Sequence, residues 1–385
     1  VTAAGESLYP RTISRHRVYR GLSDRQEHIF TWMAVIAILL MMTGWTGAIA
    51  ETLRQQRESI EQARRLGMPP PPVAAPTQRI TTSLLGPAKA PTTAYISDAM
   101  LTFLEPLRGE SGKVRFTTRL PGTEIANAPD NTTAVLSHGD QEVTNSFTAP
   151  SEPGVYDLAV KVDQATRQID DLNIITLVPF SEKQAGRIGL YYLGNWPFEH
   201  GKPVKAAYAN PSGFIEVTQE NADTYVSDHF RLRDFLTKDQ PNVWPKYLLL
   251  NPNLLDKLEL TIQELEATGH PVKRMHVMSG FRTPNYNVHG GDTAGRANLS
   301  RHMYGDASDV FVDNDGNGAM DDLNHDGRVD VHDAEVIQQA ADRVERKYPS
   351  LVGGVGVYAA CCGHGPFTHI DVRGFRARWR GFGNG

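Results

Sequence analysis

The longest unbroken apolar stretch of the chain runs from Ile29 to Ala50, 22 residues without a charged side chain. At about 1.5 Å per residue a helix of that length covers about 30 Å, the depth of a bilayer's hydrocarbon. Trp32 and Trp45 fall near its ends, where indoles favour the interface. The run exceeds the apolar core of a signal peptide, and no convincing small-x-small cleavage site follows it. The pattern predicts one transmembrane helix at 29–50, preceded by a segment, 1–28, that carries Arg11, Arg15, Arg17, Arg20 and Arg25 and so favours the cytoplasm. Arg54, Arg57, Arg64 and Arg65 follow the helix and weaken that charge bias. Thr43, Gly44, Thr46 and Gly47 make one end of the span small and polar, which suits either contact with another membrane protein or ordinary membrane-helix composition.

Beyond the span the pattern changes twice. Glu51 to Arg65 is charged and helix-prone, extending the helix to about residue 66. Pro69, Pro70, Pro71 and Pro72 then open a stretch rich in Pro, Ala and Thr, an extended semi-rigid linker over 67–93. Residues 94–180 alternate in short apolar and polar steps, as in Lys113 to Thr118 and Val155 to Val162, with Gly, Pro, Asn and Asp at the turns. That pattern predicts an all-β sandwich. Its Pro153-Gly154-Val155-Tyr156 turn resembles immunoglobulin-like modules, and its expected work is spacing or protein contact.

The remaining part, 182–385, mixes periods. Ala307 to Val312 and Phe367 to Val372 alternate like strands, whereas Val336, Ile337, Ala340, Ala341 and Val344 recur at helical spacing from Ala334 to Lys347. A chain of 385 residues has room for two such domains and their linkers. The formal net charge of −5, with no basic patch interleaved with aromatics, argues against nucleic acid as a partner. The two cysteines, Cys361 and Cys362, are neighbours, so a simple structural disulfide is not the default expectation.

The candidate chemistry sits on the strand-like segments. His302 precedes a glycine turn, Asp309 lies in the first strand and His369 in the second. Two imidazoles and a carboxylate offer three zinc ligands with a fourth position left for water, the pattern of a catalytic rather than a structural site.

The spacing Ser300-x-His302 followed by Asp309, with a distant strand histidine, resembles the zinc D-Ala-D-Ala carboxypeptidase family, which includes murein endopeptidases and the hedgehog signalling domain. Met278-Ser279-Gly280-Phe281-Arg282-Thr283-Pro284 and the closing Gly374 to Trp379 are similar to two further blocks of that family. The resemblance covers 182–385 and implies an α+β zinc domain acting on the D-amino-acid peptides of peptidoglycan. It also implies that Arg282 faces a substrate carboxylate, with Ser300 and Tyr286 beside the substrate. A cell-wall enzyme of this kind would face the periplasm or the extracellular space. The positions where relatives carry a general base are Phe367 and Pro366 here. Asp371 or His364 is the substitute, with Asp371 equally suited to orienting His369 through its other ring nitrogen.

An inserted segment, 313–335, carries a second metal signal. Asp322, Asn324, Asp326, Arg328 (through its carbonyl), Asp330 and Asp333, with Gly327 at the sixth place, fit an EF-hand-type calcium loop that would tie the insertion down. The alternative is an acidic turn capping the helix that follows. An earlier, overlapping run, Asp313 to Gly318, lacks good remaining ligands and reads as an ordinary acidic turn. The sequence thus predicts a multi-domain, single-pass membrane protein whose outward part is a zinc peptidase. The competing expectation is a non-catalytic zinc- and calcium-stabilised subunit of a membrane assembly.

Overall fold

The computed structural model describes Arg54, residues 78–80 and residues 104–381 apart from 126–131, 140, 145, 163–164, 292, 294–295 and 362. The segment 1–28 and the span 29–50 lie outside the described residues, as does the extension to 66 except for Arg54. Residues Ala75–Gly385 form one compact unit.

The first sheet contains β1 (Gln78–Ile80), β2 (Phe116–Arg119), β3 (Thr132–His138), β4 (Gln141–Thr144), β5 (Gly154–Val162) and β6 (Ala165–Thr176). Its order is β1-β6-β5-β3-β4, with β2 also on β6. Alternation decides which side chains are buried. Ala134 and Leu136 of β3, Tyr156, Leu158 and Val160 of β5, and Ile169, Leu172 and Ile174 of β6 close on Leu104, Ile125 and Phe147. Phe116 and Ile175 join a different and larger core, together with Phe214, Val226, Phe230 and Leu254.

That larger core belongs to the rest of the chain. β7 (Val178–Pro179), β10 (Gly213–Val217) and β11 (Lys246–Leu248) make a three-stranded antiparallel sheet, and β8 (Arg187–Ile188) pairs with β9 (Tyr191–Tyr192). The last sheet holds β12 (Met275–Ser279), β13 (Ala307–Val312), β14 (Gly354–Tyr358), β15 (Phe367–Asp371) and β16 (Ala377–Gly381). Its order is β12-β13-β15-β14-β16, antiparallel except for the final β14–β16 pair. Three α-helices accompany it: α1 (Pro252–Ala267), α2 (Pro284–His289) and α3 (Val331–Lys347).

α1 starts where the Asn251 side chain accepts from the Asn253 N–H and Pro252 takes the first helical position. α1 and α3 pack together, and α3 lies against β14 and β15. Lys257 of α1 is fully buried, donating to Glu345 of α3 at 2.6 Å and to the carbonyl of Asp371 on β15 at 2.7 Å. One ammonium thus ties both helices to the strand that carries the candidate ligand His369.

Two expectations are corrected. Among the described residues the expected transmembrane helix, all-β immunoglobulin-like sandwich and α+β zinc domain give way to mixed sheets with few helices. In the first sheet β6 takes β5 as an antiparallel neighbour but β1 and β2 as parallel ones. Period-two alternation reports which face is buried, not the direction of the neighbouring strand. β1 itself falls within the Pro-rich 67–93 stretch. The single-pass localisation, with an outward C-terminal part, is also overturned. No helix among the described residues is long and apolar enough to cross a membrane. The longest, α3 and α1, have 17 and 16 residues and carry charges throughout.

Candidate metal centre

Strand register builds the site. Asp309 on β13 and His369 on β15 are direct cross-strand partners, so both side chains stand on one face of the sheet. His302 arrives from a single 3-10 turn, Arg301–Tyr304. That turn ends at Gly305, whose φ of 68° and close approach to the Leu249 backbone leave no room for a Cβ. Arg301 fixes the turn from behind, pairing with buried Asp306 and stacking on Tyr208 and Tyr304 with its guanidinium 5.0 and 4.9 Å from the ring centres.

The three side chains converge on one point. His302 Nε2 lies 3.2 Å from His369 Nδ1 and 3.3 Å from Asp309 Oδ1, and His369 Nδ1 lies 2.9 Å from that same oxygen. All three residues are buried. Their outer ring nitrogens are committed elsewhere. His302 Nδ1 is 2.7 Å from the carbonyl of Gly280, which can only accept, so the proton is on Nδ1 and Nε2 keeps its lone pair. His369 Nε2 donates to Asp371 Oδ2 at 3.0 Å, which turns the Nδ1 lone pair inward.

Three electron-pair donors therefore face one another, and one shared proton cannot satisfy them all. A cation can. Ligand atoms about 2.0–2.1 Å from a tetrahedral zinc lie about 3.3 Å apart, close to the separations here. The donor set and its spacing fit zinc, with His302, Asp309 and His369 as the residues that would hold it.

Electrostatics follows the same geometry. Burial, helped by the Arg282 charge, pulls the His302 imidazole down to about 4, so it is neutral as a ligand must be. Burial opposes the charge on Asp309, yet His302, Arg282 and His369 hold it well below the usual carboxylate range. Burial also lowers His369, but its bonds to Asp309 and Asp371 outweigh this and raise it.

Asp371 is fully buried and has no oxygen to spare. Oδ1 accepts from the Gly354 N–H at 2.7 Å and from the Arg373 N–H at 3.1 Å; Oδ2 accepts from His369; and the Arg373 guanidinium pairs with the carboxylate. Burial alone would raise this carboxyl, but His369 and Arg373 hold it far below its ordinary value. These bonds have the form of the orienting role, one of the two open to Asp371 in the sequence.

Arg282 is tied to one of the three residues. Its Nη2 pairs with Asp309 Oδ2 at 2.5 Å and its Nε donates to Ser279 Oγ at 2.8 Å. It steadies the carboxylate ligand, while its side chain keeps 14 % of its surface exposed. Ser300 is the buried residue that opens the His302 turn. Tyr286 lies on α2 with the Arg296 guanidinium 5.2 Å over its ring. His364 is on the loop before β15, edge-on to Phe367 at 5.0 Å, and makes no hydrogen bond to the three ligand residues. Cys361 on that loop is disulfide-bonded.

Sequence reasoning missed Arg373, Trp379 and Tyr358. Trp379 lies 5.1 Å from the His369 ring and donates to the Tyr358 hydroxyl at 2.8 Å. Glycine at 356 makes room for its indole. The signal for Arg373 was the continuing alternation 369, 371, 373; for Trp379 it was the closing Gly374 to Trp379 block, which does not itself say that β16 reaches the site by parallel pairing across β14.

In the insertion, Asp333 accepts from the N–H groups of Leu323, Asn324 and Asp330, forming a capping box with Asp330 at the start of α3. Asp322, Asn324 and Asp326 accept from loop N–H groups, and Arg328 donates its own to Asp326. Comparison of the chain with protein-family models, with curated proteins and with solved structures finds no match in any of the three.

Proposed function

We propose that the chain is a zinc-dependent peptidase acting on D-amino-acid-containing peptides such as those of peptidoglycan. The observation that carries the reading is the convergence of His302 Nε2, His369 Nδ1 and Asp309 Oδ1 with both outer ring nitrogens already engaged. The substrate class comes from the resemblance of the Ser279–Pro284, Ser300–Asp309 and Phe367–Asp371 segments to the zinc D-Ala-D-Ala carboxypeptidases. When bound, zinc supplies Lewis acidity and a water of lowered pKa. The chain's own residues supply the rest. Asp371 and Gly280 fix the imidazoles, and Arg282 holds Asp309 while its exposed edge is available to a substrate carboxylate.

A second reading is a zinc-held peptide-binding domain that does not cut. It is favoured by the engagement of Asp371, which leaves that carboxylate unable to take a proton from water. The test is digestion of purified muropeptides by zinc-loaded protein, followed by mass spectrometry, with His302→Ala alongside. Released D-alanine or opened cross-links, lost in His302→Ala, support the peptidase. Zinc-loaded protein that binds the muropeptides and leaves them intact supports the second reading and sinks the first.

A further inference from the structure

The acidic turn after β13 holds a feature that neither the zinc site nor the capping of α3 uses. Asp313 follows the last residue of β13 and is fully buried. Its Oδ2 accepts from the Gly318 N–H at 3.3 Å and lies 3.7 Å from Arg274 Nη1. Its Oδ1 is buried without a hydrogen-bond partner. A carboxylate oxygen stripped of water and donors is a costly thing to bury unless something positive meets it. Carboxylate oxygens of Asp313, Asp315 and Asp321 lie within 4.8 Å of one another.

From these we infer a divalent-cation site, suited to calcium, at Asp313, Asp315 and Asp321, distinct from the 322–333 loop. The donors are hard oxygens only, which selects calcium over zinc. Their order also matches the first nine places of a calcium loop: Asp313, Asp315 and Asn317 at 1, 3 and 5, Gly318 at 6 with φ 83°, buried Met320 at 8 and Asp321 at 9. In the 322–333 loop the twelfth place is Asp333, both of whose oxygens accept from the backbone; counted from Asp313 the twelfth place is Asn324, so the ligand set there ends at Asp321. The site adjoins the strand that carries Asp309. The Asp321 N–H donates to the Val312 carbonyl at 2.9 Å, and Asn314 bonds to Pro271 and Lys273 ahead of β12. A bound ion would pin the insertion to the β12–β13 end of the metal-bearing sheet.

The experiment uses the full chain, stripped with chelator, reloaded with zinc and titrated calorimetrically with calcium chloride. The expected result is calcium binding with a raised melting temperature, weakened about tenfold or more in Asp315→Asn and kept in Asp326→Asn. Asp313→Asn should behave like Asp315→Asn; should it fail to fold, exposed Asp315 still carries the test. No calcium binding at millimolar concentration overturns the inference. So does loss of binding in Asp326→Asn with retention in Asp315→Asn, which would place the ion in the later loop.

Discussion

Asp371 shows how much of a candidate metal site lies outside the residues that would hold the ion. It touches no point where an ion would sit, yet it sets the tautomer and tilt of His369 and is itself held by Arg373 and the Gly354 N–H. Replacing it with asparagine keeps the shape and removes the charge that favours the inward lone pair. Asp371→Asn should therefore weaken zinc binding about 10–100-fold, measured by competition with a chromogenic chelator. Saturating zinc should then restore most of any peptidase activity. A variant with full zinc affinity and no turnover would instead make Asp371 the proton acceptor. The two roles could not be told apart in the sequence, because the Gly354 donor lies 17 residues away on another strand.

The elements differ in how far they could be read. β13, β15 and α3 were legible because each carries its own period: alternation over Ala307 to Val312 and over Phe367 to Asp371, and helical recurrence in α3. Asp309 and His369 were legible as neighbours on one sheet face for that reason, each placed there by its own strand's alternation. Strand partners were not legible. Nothing in Phe116 to Arg119 states that it pairs in parallel with Asn173 to Thr176 rather than with its nearest neighbour. Nor does anything state that Val114 bridges to Ser227. That junction carries charge: Asp228 accepts from Lys113 at 2.5 Å and from Arg115 at 2.7 and 2.9 Å. Burial raises the Asp228 carboxyl, but these two partners outweigh it and leave its pKa below the ordinary value. A depressed pKa means the stabilisation is fully present above about pH 4 and is lost as pH falls through the folded value. Denaturant midpoints from pH 5 down to pH 2 should fall less steeply in Asp228→Asn than in the parent chain, and equal slopes would show that the junction contributes no acid sensitivity.

At the scale of the whole molecule the question is whether the first sheet and the sheet that carries Asp309 and His369 stand or fall together. The sequence divides the chain near residue 180, at the end of the alternating stretch. Packing crosses that line. Phe116, Ile175, Leu177 and Val178 share one core with Phe214, Val226, Phe230 and Leu254, while Asp256 on α1 accepts from the N–H groups of Glu110 and Ser111 at 2.8 and 2.7 Å. Trp196, Trp244 and Trp379 all lie beyond residue 182, so their emission reports on the later part alone, apart from Trp32 and Trp45 near the N-terminus. Phe116→Ala removes a fully buried ring from the first sheet and should cost about 3–5 kcal/mol. If the core is shared, the tryptophan transition and the far-ultraviolet transition of this variant shift together to lower urea, although Phe116 lies on the first sheet. Two separated transitions, with the tryptophan signal unmoved, would show that the sheet carrying Asp309 and His369 is stable without its neighbour.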